Sequence, residues 1–225
     1  MSDYQGDMFA PESIFSRLEE DERATLLKFA LQKKYEKGDF IAHYGDIWPY
    51  FAFVSSGTVN VIKLSAEGRK LGGLKLHQGD EFWSPSLFDG EPLPAALEMV
   101  QDGVITILHR DHILPIIRQK PQALWELLML LIGRMRQASG FVEGLTFHPV
   151  ASRLARFLLK QFESSSSGFI ARELSLDEMG AIIGTTPVMV CKHIYRFAEE
   201  GLINVSRTEF QLLDQARLEE VADLH

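Results

Sequence analysis

The stretch Leu174–Val205, LSLDEMGAIIGTTPVMVCKHIYRFAEEGLINV, predicts two short helices joined by a tight turn. Ser175 is a suitable N-cap for the first helix, and Gly184 is expected to end it in the left-handed conformation. Thr186 then caps a second helix, whose first position is Pro187, where the missing N–H costs no hydrogen bond. This arrangement predicts a helix-turn-helix, whose second helix enters the major groove of DNA.

The second helix has an apolar face formed by Val190, Ile194 and Phe197, at positions i, i+4 and i+7. Beyond it, the segment Leu202–Leu213 predicts a two-stranded hairpin, which makes the motif a winged helix-turn-helix. An ordinary pair of packed helices is the alternative interpretation of this stretch alone. The residues predicted on the outer side of the helix are Val188, Cys191, Lys192 and Tyr195.

The composition predicts a protein with a buried core and two domains, since the chain has 225 residues, of which 46% are hydrophobic. Its single cysteine, Cys191, excludes an internal disulfide, a cysteine-only zinc site and a four-cysteine iron–sulfur cluster within one chain. The acidic, polar start MSDYQGDMFAPES is no signal peptide, and the longest apolar run, Leu127–Ile132, is too short for a membrane span. We therefore expect a cytoplasmic protein without a membrane partner.

The net charge of −8 argues mildly against nucleic acid as a partner, because DNA affinity comes largely from neutralised phosphates. A dimer that uses a small surface can nevertheless be acidic overall. Seven basic side chains in the C-terminal third of the chain are expected to supply a local basic face, although neighbouring glutamates reduce its net positive charge. These residues are Arg153, Arg156, Lys160, Arg172, Lys192, Arg196 and Arg207.

The N-terminal half predicts a β domain. Residues 11–35 predict one or two short helices, and short runs of β-type composition follow from Tyr35 to Arg110. The runs YFAFVSS, TVNVIKL, ALEMV and VITILHR are expected as separate strands, since glycines recur every eleven or twelve residues as turn signals. Short strands separated by regularly spaced turn signals are typical of antiparallel hairpins in a sandwich or barrel. The glycines concerned are Gly45, Gly57, Gly68, Gly79 and Gly90.

After a short helix at Asp111–Gln119, a long helix is predicted from about Gln122 to Leu145. Its apolar residues recur at alternating intervals of four and three, which is the a/d pattern of a coiled coil and favours pairing with a second copy. The alternative is packing on the protein's own β domain, for which Trp125, Leu127 and Ile132 are the candidates. The seam residues are Leu124, Leu128, Leu131, Met135, Ala138, Val142 and Leu145.

Together these motifs resemble the cyclic-AMP receptor protein and fumarate–nitrate regulator (Crp/Fnr) family of bacterial transcription factors over about residues 14–213. The matching motifs are KGDFIAHYGD, FAFVSSGTVNVIKLSAEGRK, HQGDEFWSPSLFDG, GLTFHPVASRLARFLL and LSLDEMGAIIGTTPVMVCKHIYRFAEEGLI. The resemblance implies a two-domain α+β protein. Residues 1–120 are expected to form a cyclic-nucleotide-binding-like β-roll sensor, 121–147 a dimerisation helix, and 148–225 the winged helix-turn-helix.

The resemblance also marks a departure in the effector pocket. Members that bind cyclic nucleotides use a glutamate for the ribose and an arginine–serine pair for the phosphate, whereas Ser84, Pro94 and Ala95 stand at these positions. Proline has no N–H and alanine no hydroxyl to offer a phosphate. Ser139 matches a polar position that contacts the base, but one serine cannot carry recognition. We therefore predict that cyclic AMP and cyclic GMP do not bind at physiological levels.

The rest of this degenerate pocket is bulky and apolar, and it includes Phe82 and Trp83. Two interpretations stay open: the pocket is filled by its own side chains, or it accepts an apolar or aromatic effector. No cofactor and no metal site is predicted. Haem, as found in some members of the family, is a further alternative that would use a histidine ligand. The candidate histidines, which more commonly are plain surface residues, are His43, His77, His109 and His112.

The recognition helix departs from the family as well. Its better-known members carry arginine and glutamate near the helix start and an arginine one turn on, where this chain has Pro187, Val188 and Lys192. Val188 can lie against a thymine methyl, and Lys192 can donate to guanine or to a phosphate. The remaining candidates are Thr185, Thr186 and Arg196 as phosphate contacts, and Met189, for which packing against the neighbouring helix is the alternative.

These features predict a homodimeric transcription factor that binds a palindromic operator. No Gly-rich phosphate loop, metal-ligand spacing or nucleophile motif indicates an enzyme. A dimeric ligand-binding module that does not bind DNA is the alternative from another class. RNA polymerase is a possible further partner through the loop Glu163–Gly168, and a thiol switch at Cys191 is a minor alternative to its role as a small filler.

Overall fold

The computed structural model describes residues 7–10, 13–64, 70–163 and 168–224. The chain forms two compact units, one of residues 1–68 and 73–135 and the other of residues 69–72 and 136–225. The boundary between them falls within the long helix α4, Pro121–Phe147. The heptad pattern had predicted this helix. Among the described residues no helix is long and apolar enough to cross a membrane.

The first unit begins with two 3₁₀ turns, Asp7–Phe9 and Ile14–Arg17, followed by helix α1, Glu20–Phe29. Six strands then form one sheet with the order β1-β6-β3-β4, in which β2 also pairs with β6 and β5 with β3. Two further helices belong to this unit, α2 (Pro85–Asp89) and α3 (Arg110–Ile117). The strands are β1 Leu31–Tyr35, β2 Phe40–Ala42, β3 Tyr50–Leu64, β4 Lys70–Leu76, β5 Glu81–Trp83 and β6 Ala96–His109.

The long strands β3 and β6 correct the expectation of four separate runs. Each runs continuously through its glycine, and β3 shifts its register against β6 at bulges between Val54 and Val59. A Cβ at Gly103 would lie 2.9 Å from the Cα of Gly57, so this glycine pair permits a close approach of two backbones. Gly45, Gly79 and Gly90 have positive φ outside the strands, whereas Gly68 lies outside the described residues.

Strand β1 is a second correction, since residues 31–35 lie in a segment for which only helices were predicted. Its sequence LQKKY lacks an apolar alternation because four of its five residues are exposed on an edge strand. Lysines on such an edge oppose pairing with other chains. Burial therefore does not impose a pattern that could be recognised in the sequence.

The second unit holds four helices besides the end of α4 and a small antiparallel sheet with the order β7-β9-β8. The small sheet thus has a third strand, β7, beyond the predicted hairpin. The elements are α5 Val150–Glu163, β7 Phe169–Ala171, α6 Leu176–Ile183, α7 Pro187–Glu199, β8 Ile203–Val205, β9 Glu209–Leu212 and α8 Gln215–Ala222. The winged helix-turn-helix is confirmed.

The predicted caps delimit both helices of the motif. The Ser175 hydroxyl accepts from the Glu178 N–H, while the Glu178 carboxylate accepts from the Ser175 N–H, which makes a capping box. Gly184 ends α6 with φ of 68°, and Thr186 accepts from the N–H of Met189 at 3.4 Å. Leu154 and Leu158 of α5 belong to the buried cluster that these helices share, together with Met179, Ile183, Val190, Ile194 and Phe197.

Candidate nucleic-acid interface

Helix α7 presents one exposed stripe. Val188 is 75% exposed, Tyr195 is 61% exposed, and Lys192 between them is exposed as well. The spacing i, i+4 and i+7 places the three side chains on one face, opposite the buried Val190 and Ile194. The helix therefore offers an apolar group, a cation and an aromatic hydroxyl in a row, of which the first two are side-chain types that can contact base edges in the major groove.

The turn before α7 is tightly built. The N–H of Thr185 donates to the carbonyl of Gly180 at 2.8 Å. A Cβ at Gly180 would lie 2.9 Å from the Thr185 oxygen, so the two helices of the motif approach too closely for a side chain there. Pro187 and Met189 are half-buried beside this turn. The N-terminus of α7, where Thr185 and Thr186 were predicted to contact phosphate, thus has a fixed position.

Two further residues of α7, Arg196 and His193, interact with other residues of the second unit. The Nε of Arg196 lies 3.5 Å from Glu200 Oε1, and its guanidinium lies 5.5 Å from the centre of the Phe197 ring. His193 is buried, and burial, followed by the charges of Arg196 and Lys192, lowers its pKa. The His193 ring lies beside the Phe197 ring, with 6.4 Å between their centres, and the phosphate contact of Arg196 stays a prediction.

The local basic face is narrower than expected, because four of its guanidinium groups have acceptors inside the unit. Arg153 donates to the carbonyls of Ile183 and Gly184, Arg156 to Ala222, and Arg172 to Ser206, while Arg196 pairs with Glu200. Lys192 and Arg207 are exposed. Of the seven predicted residues, Lys192 and Arg207 thus present exposed positive charge on the recognition helix and in the wing, while Lys160 is exposed on α5.

The wing turn, Ser206–Glu209, places Arg207 outward. The Ser206 hydroxyl accepts from the N–H groups of Thr208 and Glu209 at 3.2 and 3.0 Å. Arg172 donates to the Ser206 carbonyl at 2.9 Å and lies over the Phe210 ring. From the sequence, Arg207 was expected in the local basic face and Tyr195 on the outer side of the helix, but neither was assigned a contact with DNA.

Most residues of the predicted seam of α4 are exposed in the isolated chain. Leu128 is 45% exposed and Met135 is 65% exposed, and Leu124, Leu131, Ala138 and Val142 are exposed as well. Of the three candidates for the alternative, packing on the β domain, Leu127 is buried and Ile132 is half-buried, whereas Trp125 is 59% exposed. Leu145 differs from the other seam residues because it is half-buried beside Gly184. The described protomer therefore presents an uncovered apolar stripe.

The structure places Phe82 and Trp83, neighbours in β5, in two different hydrophobic clusters. Phe82 pairs with Ala52 in the sheet, whereas Trp83 pairs with Phe51, and adjacent residues of a strand face opposite sides. Phe82 accordingly packs beside Trp48 at 6.4 Å, in the cluster between the strands. Trp83 packs instead on Phe15 and Phe51, at 5.5 and 4.8 Å, in the cluster of the N-terminal helices. Trp83 thus lies outside the cluster that Phe82 joins, and its role in the effector pocket stays a prediction.

The other pocket candidates differ in their exposure, and Ser84 shares the neighbour Trp48 with Phe82. Ser84 is buried, and its hydroxyl donates to the Trp48 carbonyl at 2.9 Å. Pro94 is exposed and Ala95 is half-buried, whereas the neighbouring Leu93 is buried. Ser139 is exposed on the part of α4 that belongs to the second unit. A hydroxyl that is already used by a backbone carbonyl is a poor substitute for a ribose-binding carboxylate.

Next to this region, Glu81 is a half-buried carboxylate that connects the N-terminal segment to the sheet. It accepts from the Ser13 hydroxyl at 2.5 Å and from the Trp83 indole N–H at 2.9 Å. Burial raises its pKa, and these hydrogen bonds partly oppose the shift. Because the Glu81 carboxylate accepts hydrogen bonds from side chains of the protein itself, a structural role is indicated for it.

Three of the four candidate haem ligands contact neighbouring side chains. His43 stacks on Phe40 at 4.7 Å, and His112 stacks on Phe29 at 3.8 Å. The Nδ1 of His109 accepts from the Asp111 N–H at 3.3 Å. Within the described parts of the chain, no three His, Cys, Asp or Glu residues are grouped so that they could hold a metal. These contacts give the haem alternative no support.

Comparison with protein families agrees with this architecture. Residues 32–120 match a cyclic nucleotide-binding domain, and residues 152–221 match a Crp-like helix-turn-helix domain. A sheet domain of this type joined to a winged helix-turn-helix defines a transcriptional regulator that binds DNA. The chain belongs to the Crp/Fnr family of such regulators.

Three similar proteins extend the match over nearly the whole chain. The cyclic AMP receptor protein of Thermus thermophilus is 27% identical over 209 residues, 93% of this chain and 96% of that protein. The crystal structure of the catabolite activator protein of Thermus thermophilus, also 27% identical, covers 93% of this chain and 97% of its own with a TM-score of 0.52. FixK2 from Bradyrhizobium japonicum, 22% identical, covers 87% and 98% with a TM-score of 0.70 and shows the same fold.

Proposed function

We propose that the protein is a cytoplasmic homodimer without catalytic activity that binds a palindromic operator through α7 and regulates transcription without cyclic AMP. The observation that carries the DNA contact is the exposed stripe Val188, Lys192 and Tyr195, which follows a turn held by backbone hydrogen bonds. In a dimer, two such helices meet half-sites about 34 Å apart on one side of the duplex. The apolar stripe of α4 supports the dimer.

Each residue of the stripe has a distinct task in this proposal. Val188 lies against a thymine methyl, since an apolar side chain cannot accept from cytosine as glutamate does. Lys192 donates to guanine or to a phosphate, and Tyr195 is long enough to reach the backbone with its hydroxyl. Arg207 in the wing adds a phosphate contact. The half-site therefore differs from that of family members with arginine and glutamate.

Lys192→Ala is expected to lower the affinity for operator DNA about 10-fold, because one charged contact contributes about 1–3 kcal/mol. Fluorescence anisotropy with DNA from upstream of the protein's own gene, between 50 and 200 mM salt, provides the measurement. A phosphate contact predicts a slope of log K against log salt that is about 0.9 smaller. A guanine contact predicts instead a loss confined to one base pair of the half-site.

The matched control is Lys33→Ala, which removes the same charge from an exposed position of β1 in the first unit. It is expected to bind as the unchanged protein does. Equal binding by both variants would remove Lys192 from the contact set. No binding by the unchanged protein to any upstream DNA would favour the dimeric module that does not bind DNA.

Independence from cyclic AMP rests on the residues that replace the phosphate and ribose contacts. Pro94 and Ala95 offer no charged or hydroxyl group, and Ser84 is engaged with Trp48. The name of the Thermus thermophilus relative opposes this proposal, since it describes a cyclic AMP receptor. A phosphate without a charge-assisted pair loses its strongest contact, which outweighs similarity at 27% identity.

Cyclic AMP is therefore expected to leave DNA binding unchanged. Anisotropy titrations with and without 1 mM nucleotide (about 1,000 times a micromolar Kd, where a receptor would be saturated) test this directly. Calorimetric titration of the free protein is expected to show no binding heat. A micromolar dissociation constant, or DNA binding that appears only with nucleotide, would contradict the proposal.

The interior of the sheet favours a pocket filled by the protein itself over one that accepts an apolar effector. Leu76, Leu93 and Val59 are buried there, and Phe82 and Trp48 pack against the same cluster. A domain filled in this way needs no ligand to reach its folded state. DNA binding would then follow the abundance of the protein. The proposed contact with RNA polymerase involves Glu163–Gly168, of which residues 164–167 lie outside the described chain.

A further inference from the structure

The turn of the helix-turn-helix is held from outside by an arginine of α5. Arg153 Nη1 donates to the carbonyl of Ile183 and, at 3.1 Å, to the carbonyl of Gly184. These are the last carbonyls of α6, which have no acceptor role inside the helix. A cation at a helix C-terminus is also favoured by the helix dipole, and charge-assisted hydrogen bonds are stronger than neutral ones.

A second side chain packs on the same turn. A Cβ at Gly184 would overlap the Leu145 side chain and lie 3.1 Å from Arg153 Nη1. Leu145, from the last turn of α4, and Arg153 thus both lie against the residue that precedes Thr185 and Thr186. The start of α7 cannot shift without disturbing one of these contacts, since only Gly184 to Thr186 separate α6 from α7.

Two details indicate that Arg153 acts through the position of this turn. Its guanidinium is partly buried, and the Nε has no hydrogen-bond partner among the described residues. A buried donor without a partner costs stability, so the residue is not optimised for stability alone. Its Nη1 is directed to the carbonyls of Ile183 and Gly184 and its Nε is enclosed by the protein, so two of its three nitrogens are not available to a phosphate.

We propose that Arg153 is a positioning residue for DNA binding, which fixes the helix-turn-helix turn and thereby the angle at which α7 meets the groove. The inference rests on the proposed DNA-binding function. It assigns to Arg153 no contact with DNA. Removing the guanidinium keeps the side chains of Val188, Lys192 and Tyr195 but lets the N-terminus of α7 move. The three side chains then meet their DNA contacts together in a smaller fraction of the complexes.

Arg153→Met, which keeps the aliphatic length, is the principal test, and Arg217→Met is the matched control. Arg217 also donates from an arginine to a helix-terminal carbonyl, that of Glu200, but at the opposite end of α7. We expect Arg153→Met to weaken operator binding about 10-fold with an unchanged salt slope, while Arg217→Met binds within about 2-fold of the unchanged protein. Arg153→Lys, which keeps one donor, is expected to restore part of the affinity.

Three results would overturn the proposal. A salt slope that falls by about 0.9 in Arg153→Met would make Arg153 a phosphate contact. Unchanged affinity, or equal losses in Arg153→Met and Arg217→Met, would reduce it to a stabilising residue. If Arg153→Lys binds no better than a folded Arg153→Met, the hydrogen bonds that the side chain donates would not be the cause of the effect. Thermal unfolding confirms that each variant is folded at the temperature of the titration.

Hydrogen exchange separates this proposal from the DNA-binding function itself. In Arg153→Met, without DNA, amides of the peptide covering residues 184–190 are expected to exchange faster, while those of α8 exchange as before. Should the unchanged protein bind no DNA, the proposed function fails, and the positioning role for DNA fails with it. Binding by the unchanged protein with unaltered exchange at residues 184–190 would refute only the role of Arg153.

Discussion

Leu128→Asp is expected to convert the protein into a monomer and to weaken operator binding about 100-fold. Leu128 occupies the middle of the α4 seam, where it is 45% exposed in the isolated protomer and would be covered by a partner helix. A carboxylate buried there without a partner costs several kcal/mol, more than an interface of two helices tolerates. Two linked recognition helices bind a palindrome far more tightly than one, which accounts for the loss of affinity.

Light scattering coupled to size exclusion gives the oligomeric state, and anisotropy gives the affinity of the same samples. Met129→Asp is the matched control, since it places the same charge one residue off the seam on an exposed side chain of the same helix. We expect Met129→Asp to stay dimeric. A dimeric Leu128→Asp would show that the protomers associate through a surface other than this seam.

The motif at Leu174–Val205 could be predicted from the sequence because each boundary has a local chemical cause. Ser175 and Thr186 cap their helices, and Gly184 adopts the left-handed conformation that ends α6. These interactions span at most four residues, so composition and spacing are sufficient to identify them. The a/d series of α4 is equally local, and its residues are exposed where a partner would cover them.

The sheet could not be predicted to the same degree, because its decisive contacts join distant segments. Gly57 was expected to mark a turn, but it faces Gly103 in a strand pair whose backbones approach closely. Nothing in the residues around Gly57 distinguishes this use of glycine from a turn. Likewise, β1 could not be recognised, since an exposed edge strand is under no pressure to alternate.

The candidate site was only partly predictable for a related reason. Resemblance placed Phe82 and Trp83 together, whereas the register of β5 on β3 sends them to opposite faces. The role of Arg153 depends on the folded position of Ile183 and Gly184, which the outward spacing of α5 alone could not indicate. Residues that act through distant backbone carbonyls leave no periodic pattern in the sequence.

Gly184→Ala is expected to lower the free energy of unfolding of the second unit by about 2–4 kcal/mol, since strained and overlapping substitutions lie in the upper part of the usual range. The φ of 68° is unfavourable for alanine by about 1 kcal/mol. The new Cβ would also overlap Leu145 and approach Arg153 Nη1. Displacement of the turn is expected to reduce operator affinity beyond the effect of Lys192→Ala. Chemical denaturation and anisotropy measure the two losses.

Gly201→Ala separates the two causes. Gly201 has a nearly equal φ of 71°, but a Cβ there meets no atom within 4 Å, so this variant carries the backbone strain without the overlap. The difference between the two variants therefore measures the contact with Leu145 and Arg153. Adding Leu145→Ala to Gly184→Ala is expected to restore part of the lost operator affinity, because the smaller side chain makes room for the Cβ. Equal destabilisation by Gly184→Ala and Gly201→Ala would show that the Leu145 side chain moves aside freely, and the turn would then be fixed by Arg153 alone.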